Sequence, residues 1–358
     1  MDRRMIIGAA LLLLMAAGPV FAGFGAADLI YVPVVSHSPG SFASQWRTDF
    51  YITNVSDVPM DVAIAYLPSG LVSNAYVFQS RDTWLGGRES DGWGLLNEEL
   101  ADIPPNGSVV IKDIVGEYWL GLLGSNGNGA LVVASYEAGT LEPDGTRIYK
   151  DSIVNCRIYN KSTIWVPDPD DPDVFNEKQA QYGQTMPGVP WYNFADGGAV
   201  GDDYDLSFEI LTGGQEASKL RYNVGVVNAS DPQTSLTVRI KPYQPNGEPY
   251  LDDEDNEIAT ILNMPPASQI QLFRPFRDEW DLGNTDGATV RVSVISWASN
   301  GANPVPMLSS YGSVVHNNTN DPTTVLPFFA YPYDIDCIWG QSAKRSSGSR
   351  RPIEIPSN

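Results

Sequence analysis

The chain has 358 residues, enough for two domains that each bury a hydrophobic core. Its 43 acidic and 22 basic residues give a formal net charge of −21, and such a surface repels nucleic acid and anionic lipid. We therefore expect no nucleic-acid partner. The 33 glycines and 27 prolines favour many short strands joined by turns over long helices.

The first residues have the pattern of a secretory signal peptide. Charged residues at 2–4 precede an apolar run that ends near Ala17, and the small residue Ala22 provides a cleavage point. We therefore predict a signal peptide over residues 1–22 and an exported protein that is extracellular, on the cell surface or in the periplasm. The apolar run is too short to span a membrane, and no later run is long enough, so we expect no membrane span.

Residues 29–162 contain the first group of predicted strands. Residues 47–53 alternate polar and apolar side chains, as a half-buried strand does. The turn at 54–57 joins them to a strand at 60–67, which predicts a hairpin. Further strands are predicted at 29–35, 108–112, 129–136 and 152–159, and short helical turns follow residue 113.

The same order of elements returns in residues 182–327. The segment LRYNVGVVNASD at 220–231 matches WRTDFYITNVSD at 46–57, with Arg221 in the place of Arg47. The last strand of each copy also aligns, with Val314 in the place of Arg157. The sequence therefore predicts an all-β protein with two tandem antiparallel Ig-like β-sandwich domains. The two arginines are candidates for bonding loop carbonyls or carboxylates.

The segments between and after the copies have a different composition. Residues 163–181 are predicted to be a Pro/Asp-rich linker, because PDPDDPD at 167–173 suits neither strand nor helix. Residues 340–358 are polar and carry four basic residues, and we predict a disordered basic tail. This tail is either solvated or docked on an acidic surface.

Few residues suit nucleophilic or zinc chemistry. Cys156 and Cys337 either form a disulfide that pins the tail to the first domain or remain two buried thiols. Two cysteines and two histidines are too few for the usual zinc sites. His37 and His316 accompany no Gly-x-Ser-x-Gly motif. We therefore predict that the protein is not an enzyme.

Loop-like aromatic and acidic residues are the candidates for ligand binding. The indoles of Trp84, Trp93 and Trp191 either stack on sugar rings or plug the ends of the sandwiches. Acidic clusters either serve solubility or supply oxygens to Ca²⁺, without the EF-hand spacing, and another cluster lies at 252–255. The candidate Ca²⁺ ligands are Asp168, Asp170, Asp171 and Asp173.

Five Asn-x-Ser/Thr triplets begin at Asn54, Asn106, Asn160, Asn228 and Asn317. In a eukaryote such triplets are glycosylation signals. Two pairs of them fall at equivalent positions of the two copies, which favours a role in the turns.

The repeated motifs resemble those of a group of secreted bacterial proteins with tandem β-sandwich repeats. The resemblance rests on WRTDFYITNVSD, IPPNGSVVIKDIVG, GALVVASY, CRIYNKS, YGQTMPG and SYGSVVHNNTNDP. Those proteins carry an RTDL-type hairpin and a closing SVVDN-like strand, and the group has no assigned catalytic activity. The resemblance implies secretion and an accessory, adhesive or surface role.

The expected function is therefore a non-catalytic secreted or cell-surface protein for adhesion, assembly or accessory binding. Its expected partner is an extracellular protein or polysaccharide, and self-association through sheet edges is a further expectation. The alternative is a carbohydrate-binding module, with or without Ca²⁺. A glycoside hydrolase is the most distant alternative, because nothing fixes two carboxyls across a cleft.

Overall fold

A computed structural model of the chain describes residues 25–40, 45–70, 100–119, 127–140, 148–167, 174–196, 208–230, 233–301, 306–317 and 321–330. These ranges fold almost entirely into antiparallel β-sheet with two short α-helices, which confirms the all-β prediction. No helix among them is long and apolar enough to cross a membrane. The predicted signal peptide and basic tail lie outside the described residues.

The first half of the chain contributes eight strands and one helix. The strands are β1 Leu29–Pro39, β2 Gln45–Asn54, β3 Met60–Pro68, β4 Ser108–Ile111, β5 Gly127–Glu137, β6 Ser152–Pro167, β7 Phe175–Pro187 and β8 Val189–Pro190. Helix α1, Ile114–Tyr118, follows β4. One layer has the order β3-β5-β1-β8, the other β4-β2-β6-β7, and the last two residues of β1 pair with β2.

The second half repeats this arrangement. Its strands are β9 Ala195–Asp196, β10 Phe208–Glu216, β11 Leu220–Asn228, β12 Thr234–Tyr243, β13 Thr260–Met264, β14 Gln269–Phe273, β15 Thr285–Ser299, β16 Met307–His316, β17 Pro322–Val325 and β18 Phe328–Ala330. Helix α2, Pro275–Asp278, follows β14. The layers are β13-β12-β15-β10-β18 and β14-β11-β16-β17. The order β3-β5-β1 over β4-β2-β6-β7 therefore returns as β12-β15-β10 over β14-β11-β16-β17, and β13 is an added edge strand.

Sheet register corrects one detail of the predicted repeat. Asp49 pairs with Arg157 across β2 and β6, and Asn223 pairs with Ser313 across β11 and β16. Since Asn223 takes the place of Asp49, Ser313 and not Val314 occupies the place of Arg157. The predicted alignment of the closing strands is therefore wrong by one residue. It matched similar apolar side chains, whereas the pairing of each closing strand with its neighbour defines the equivalent positions.

Of the predicted linker at 163–181, the structure describes residues 163–167 and 174–181, and all of these except Val174 are strand. Strands β6 and β7 pair continuously from Asn155 opposite Pro187 to Pro167 opposite Phe175, so they form a long hairpin. Residues 168–173, between the two strands, lie outside the described residues. The chain instead passes between sandwiches at 188–195, where β8 pairs with β1 and β9 with β16. The second sandwich therefore begins after residue 182 and extends to β18, beyond 327.

The two sandwiches share a hydrophobic core. Along β12 the burial alternates, as in a strand with one solvent face, but β3 is buried at eight consecutive residues. The reason is that the outer face of β3-β5-β1, with Tyr31 and Val132, packs against Val227 and Met307 of the second sandwich. This apolar contact holds the two sandwiches as one packed unit.

A buried asparagine closes the repeated hairpin in both copies. Asn54 donates to the carbonyls of Val58 and Ile103, each at 2.8 Å, and accepts from the N–H of Ser56 at 2.8 Å. Asn228 likewise donates to the carbonyls of Thr234 at 3.0 Å and Pro265 at 2.8 Å. Both asparagines are fully buried, so these triplets act in the turns and present no amide for a glycan.

The buried carboxyl of Glu209 on β10 makes folding stability depend on pH. Burial raises the pKa of Glu209 from 4.5 to about 8, although the Ser310 hydroxyl donates to it. The unfolded chain therefore loses this proton before the folded protein does. Between pH 4.5 and about 8, we therefore expect the free energy of unfolding to fall as the pH rises, by up to about 1.4 kcal/mol per pH unit.

Glu209→Gln should remove this part of the pH dependence, because glutamine is neutral throughout the window. Chemical denaturation at the two ends of the window measures the slope, with the exposed Glu254→Gln as the matched control. The account predicts a flatter slope for Glu209→Gln alone. An unchanged slope in Glu209→Gln would show that this carboxyl ionises freely in the folded protein.

Cys156 lies in the core of the first sandwich, and burial raises the pKa of its thiol. Cys337 lies outside the described residues, so the disulfide between the two stays a prediction.

Candidate ligand-binding cleft

The two sandwiches separate at one end of their interface and leave an open cleft of 640 Å³. Its first wall is built by β1, β2, β5, β6 and β7 of the first sandwich, and its second wall mainly by β11, β14 and β16. Beside the cleft, the N–H of Gly70 donates to the carbonyl of Gln269 at 2.7 Å and joins the sandwiches directly. The width of the cleft is therefore set by the packed interface next to it.

Small polar side chains dominate the first wall. Ser36 Oγ donates to Asn128 Oδ1 at 2.6 Å, so Ser38 Oγ, 2.9 Å away, donates in turn to Ser36. Half-buried Trp46 and Gln184 complete this wall from β2 and β7. The wall thus offers hydroxyl and amide groups that donate as well as accept, beside one indole ring.

The second wall combines amides with an exposed aromatic ring. It is the outer face of the sheet β14-β11-β16, where side chains at alternate positions point away from the sandwich core. Tyr311 Oη donates to Gln271 Oε1 at 2.5 Å, which orients that amide. Phe273 at the end of β14 is 61% exposed, the largest fraction among the exposed large apolar side chains described.

Two arginines lie side by side at the second wall. Arg274 donates through Nε and Nη2 to Glu216 Oε1, at 2.9 and 2.6 Å, and Glu216 is 2% exposed. Arg221 donates to Asn317 Oδ1 at 2.9 Å. Burial and then the charge of Arg274 lower the pKa of Arg221, while Glu216 opposes this shift. The cleft therefore contains two closely spaced cations in a partly desolvated position.

The first sandwich has a cluster of ionisable side chains at the positions that correspond to Arg221, Arg274 and Glu216, but its charges are distributed differently. There, Arg47 Nε lies 3.1 Å from Asp113 Oδ2, and His37 Nδ1 lies 2.9 Å from the same oxygen. Asp113 precedes α1 with φ 48°, as Arg274 precedes α2 with φ 48°. The carboxylate of the first copy is thus an arginine in the second.

The backbone confirms that these positions correspond. In the first copy the N–H of Asp113 donates to Asp49 Oδ1 at 3.2 Å, and in the second the N–H of Arg274 donates to Asn223 Oδ1 at 3.4 Å. His37 lies opposite Gly127 in the ladder β1–β5, as Glu216 lies opposite Thr285 in β10–β15. The two clusters are therefore built on one scaffold and differ in their ionised side chains.

The charge of the cleft is opposite to that of the whole chain. Its described lining contains Arg221 and Arg274 and no carboxylate, although the chain has 43 acidic and 22 basic residues. Glu216 pairs with Arg274 from behind the wall, and the charged groups that reach the cleft itself are the two guanidinium groups. The cleft is thus a local positive site on an acidic protein.

Trp191, the predicted ligand residue that the structure describes, does not line this cleft. Trp191 is half-buried, donates its indole N–H to Asp28 Oδ1 at 3.2 Å, and packs against the core of the first sandwich and the core that the two sandwiches share. These contacts favour the alternative in which it plugs the end of a sandwich. Trp84, Trp93 and the predicted Ca²⁺ ligands at 168–173 lie outside the described residues, and their roles stay predictions.

The other acidic cluster and the histidines have structural partners. Asp252 Oδ1 accepts from the N–H groups of Glu254 and Asn256, so it shapes an exposed turn. His37 bonds Asp113, and no described serine or cysteine side chain bonds His37. No described group of three or more His, Cys, Asp or Glu side chains is arranged to hold a metal.

Comparisons with family models, curated proteins and solved structures gave no match. The function is therefore argued from the cleft and its chemistry.

Sequence reasoning singled out Arg221 as a scaffold residue and missed Arg274, Gln271 and Phe273 as a set. One signal was present in the sequence: the two copies differ where FRP at 273–275 replaces KDI at 112–114, a cation in the place of an anion. The cleft itself depends on how the two copies pack, which the repeat does not encode.

Proposed function

We propose that this chain is a non-catalytic exported binding protein whose ligand, a polysaccharide, lies in the cleft between the two sandwiches. The single observation that carries the proposal is the composition of that cleft. Hydroxyls, amides, two guanidinium groups and aromatic rings line a space of 640 Å³. A concave surface with a few convergent polar groups is where proteins bind small or extended ligands.

The lining matches the chemistry of a saccharide. Sugar hydroxyls both donate and accept hydrogen bonds, as the amides of Gln271 and Asn128 and the hydroxyl of Ser38 also do. Sugar rings in addition have an apolar face that packs on aromatic side chains. Phe273 and Trp46 supply such surfaces, one on each wall.

The rigidity of the interface supports binding rather than simple tethering of two domains. The apolar contact that includes Tyr31 and Val227 fixes the walls relative to each other. A site that is already formed loses less conformational entropy when its ligand binds. Fewer contacts with the ligand are therefore needed to offset the entropy lost on binding.

The non-catalytic part of the proposal is supported by the groups that face the ligand. The described lining contains no carboxylate, histidine or cysteine. Glycoside hydrolysis ordinarily uses two carboxyl groups across the bond. The predicted signal peptide and the resemblance to secreted sandwich proteins support export.

Retention on an array of plant, bacterial and animal glycans tests this proposal. The parent protein should be retained on at least one glycan, and Phe273→Ala should weaken that binding about tenfold, because it removes the exposed ring. Ile261→Ala is the matched control, since Ile261 is an exposed apolar residue of the same sandwich on β13, outside the cleft. Retention of the parent on no glycan, or equal losses in the two variants, would refute the proposal.

A further inference from the structure

We infer that the saccharide bound in the cleft is acidic, and that Arg221 and Arg274 hold its carboxylate or sulfate group. This inference rests on the proposed function and adds the chemical class of the ligand. A polysaccharide of uronic acids or of sulfated sugars is the polymer that this chemistry recognises.

The first argument is the composition of the lining. Both ionised side chains in the described lining are arginines, on a chain with about twice as many acidic as basic residues. A guanidinium group binds a carboxylate or sulfate through two parallel hydrogen bonds, which adds geometric selectivity to charge attraction. A neutral saccharide would require neither group.

The second argument is the position of the carboxylate that pairs with Arg274. Glu216 is 2% exposed, does not line the cleft and bonds both Nε and Nη2 of Arg274 from behind. This contact fixes the guanidinium group at the wall. It also holds Arg274 close to Arg221, whose pKa its charge lowers. An anion between the two arginines would relieve that repulsion.

The third argument comes from the first sandwich, which acts as an internal reference. At the equivalent positions Arg47 forms an ion pair with Asp113 at 3.1 Å, and neither residue lines the cleft. In the second sandwich the aspartate is replaced by Arg274. The second sandwich thus places an arginine at the cleft where the first has an internal carboxylate, and its own carboxylate, Glu216, lies behind that wall at the place of His37.

The fourth argument is the placement of the exposed ring beside the cations. Phe273 immediately precedes Arg274, and the N–H of Arg274 donates to Asn223, which fixes the backbone at that point. A sugar ring on Phe273 therefore places its acidic substituent within reach of the arginines. The cleft would thus contact the apolar face of a sugar ring and the acidic group of the same sugar residue at once.

The experiment titrates the full mature chain with four polymers: polygalacturonate, its methyl ester, dextran sulfate and dextran. Tight binding of polygalacturonate, with at least about tenfold weaker binding of the uncharged methyl ester, supports a carboxylate ligand. The same difference between dextran sulfate and dextran supports a sulfate ligand. Equal affinity for the charged and neutral members of both pairs would overturn the inference and leave the proposed function standing. Binding of no glycan, on the array or here, would refute both.

Arg221→Gln is the test variant, and Arg47→Gln, at the equivalent position of the first sandwich, is the matched control. We expect at least about tenfold weaker binding of the acidic polymer for Arg221→Gln and an unchanged affinity for Arg47→Gln. Equal losses in both would show a general charge effect and overturn the assignment.

A second variant keeps the test decisive if Arg221→Gln fails to fold. Glu216→Gln keeps one oxygen acceptor for Arg274, replaces the oxygen that accepts from the N–H of Tyr222 with an amide NH2, and removes the carboxylate charge behind the wall. It should raise affinity for the acidic polymer by about threefold or more and leave binding of neutral dextran unchanged. Unchanged or weaker binding of the acidic polymer by a folded Glu216→Gln protein would overturn the inference.

Discussion

Replacing Asn54 or Asn228 with alanine is expected to lower the free energy of unfolding by about 3 kcal/mol. The Asn54 side chain donates to the carbonyls of Val58 and Ile103 and accepts from the N–H of Ser56, and alanine cannot make these hydrogen bonds. Asn228 has the same role in the second copy. Urea denaturation followed by circular dichroism measures both losses.

The matched control is Asn106→Gly, in a third Asn-x-Ser triplet. Asn106 is exposed in a turn and has a positive φ of 59°, which glycine adopts without strain. We expect a change within about 0.5 kcal/mol there. A loss for Asn54→Ala no larger than that of the control would mean that the buried asparagines do not hold the hairpins closed.

Gly225→Ala is expected to destabilise the second sandwich and loosen its contact with the first, by about 3 kcal/mol. A Cβ at residue 225 would lie 1.8 Å from Cε1 of Tyr311, its partner across β11 and β16. Tyr311 is 1% exposed and packs in the core of the first sandwich, so a displacement of its ring would break that packing. Differential scanning calorimetry measures the loss.

A double-mutant cycle separates this clash from other effects of the substitution. Tyr311→Ala alone should cost about 3–5 kcal/mol, because it empties a large buried site. Adding Gly225→Ala to Tyr311→Ala should then cost almost nothing, since the ring that would be struck is absent. Fully additive losses would indicate that Gly225 is needed for a reason other than the ring.

The repeat predicted the strand order because local patterns determine it. The alternation in residues 47–53 and the turn after Asn54 are encoded within a dozen residues, and they recur around Asn228. The same logic predicted Asn54 and Asn228 as turn residues, and both prove to be buried in the turns. Local chemistry of this kind can be read without knowing what lies across the sheet.

The interface and the cleft could not be predicted in the same way. The continuous burial of β3 reflects a neighbour more than a hundred residues away in sequence, and its apolar run looks like that of an ordinary core strand. Proline opposes strand pairing, so the composition of residues 163–181 predicts a linker, but β6 and β7 pair from Asn155 opposite Pro187 to Pro167 opposite Phe175. The role of Arg274 in the cleft could not be predicted either, because it depends on Glu216 and Arg221, which lie on strands β10 and β11.

The most direct measurement of the central claim is a crystal structure of the chain grown with an acidic oligosaccharide, either an oligogalacturonate or a sulfated dextran fragment. The account predicts a saccharide in the cleft between the sandwiches, with a carboxylate or sulfate oxygen within about 3 Å of the guanidinium group of Arg221 or Arg274. It also predicts a sugar ring against Phe273. A saccharide bound elsewhere on the protein, with the cleft empty, would contradict the account.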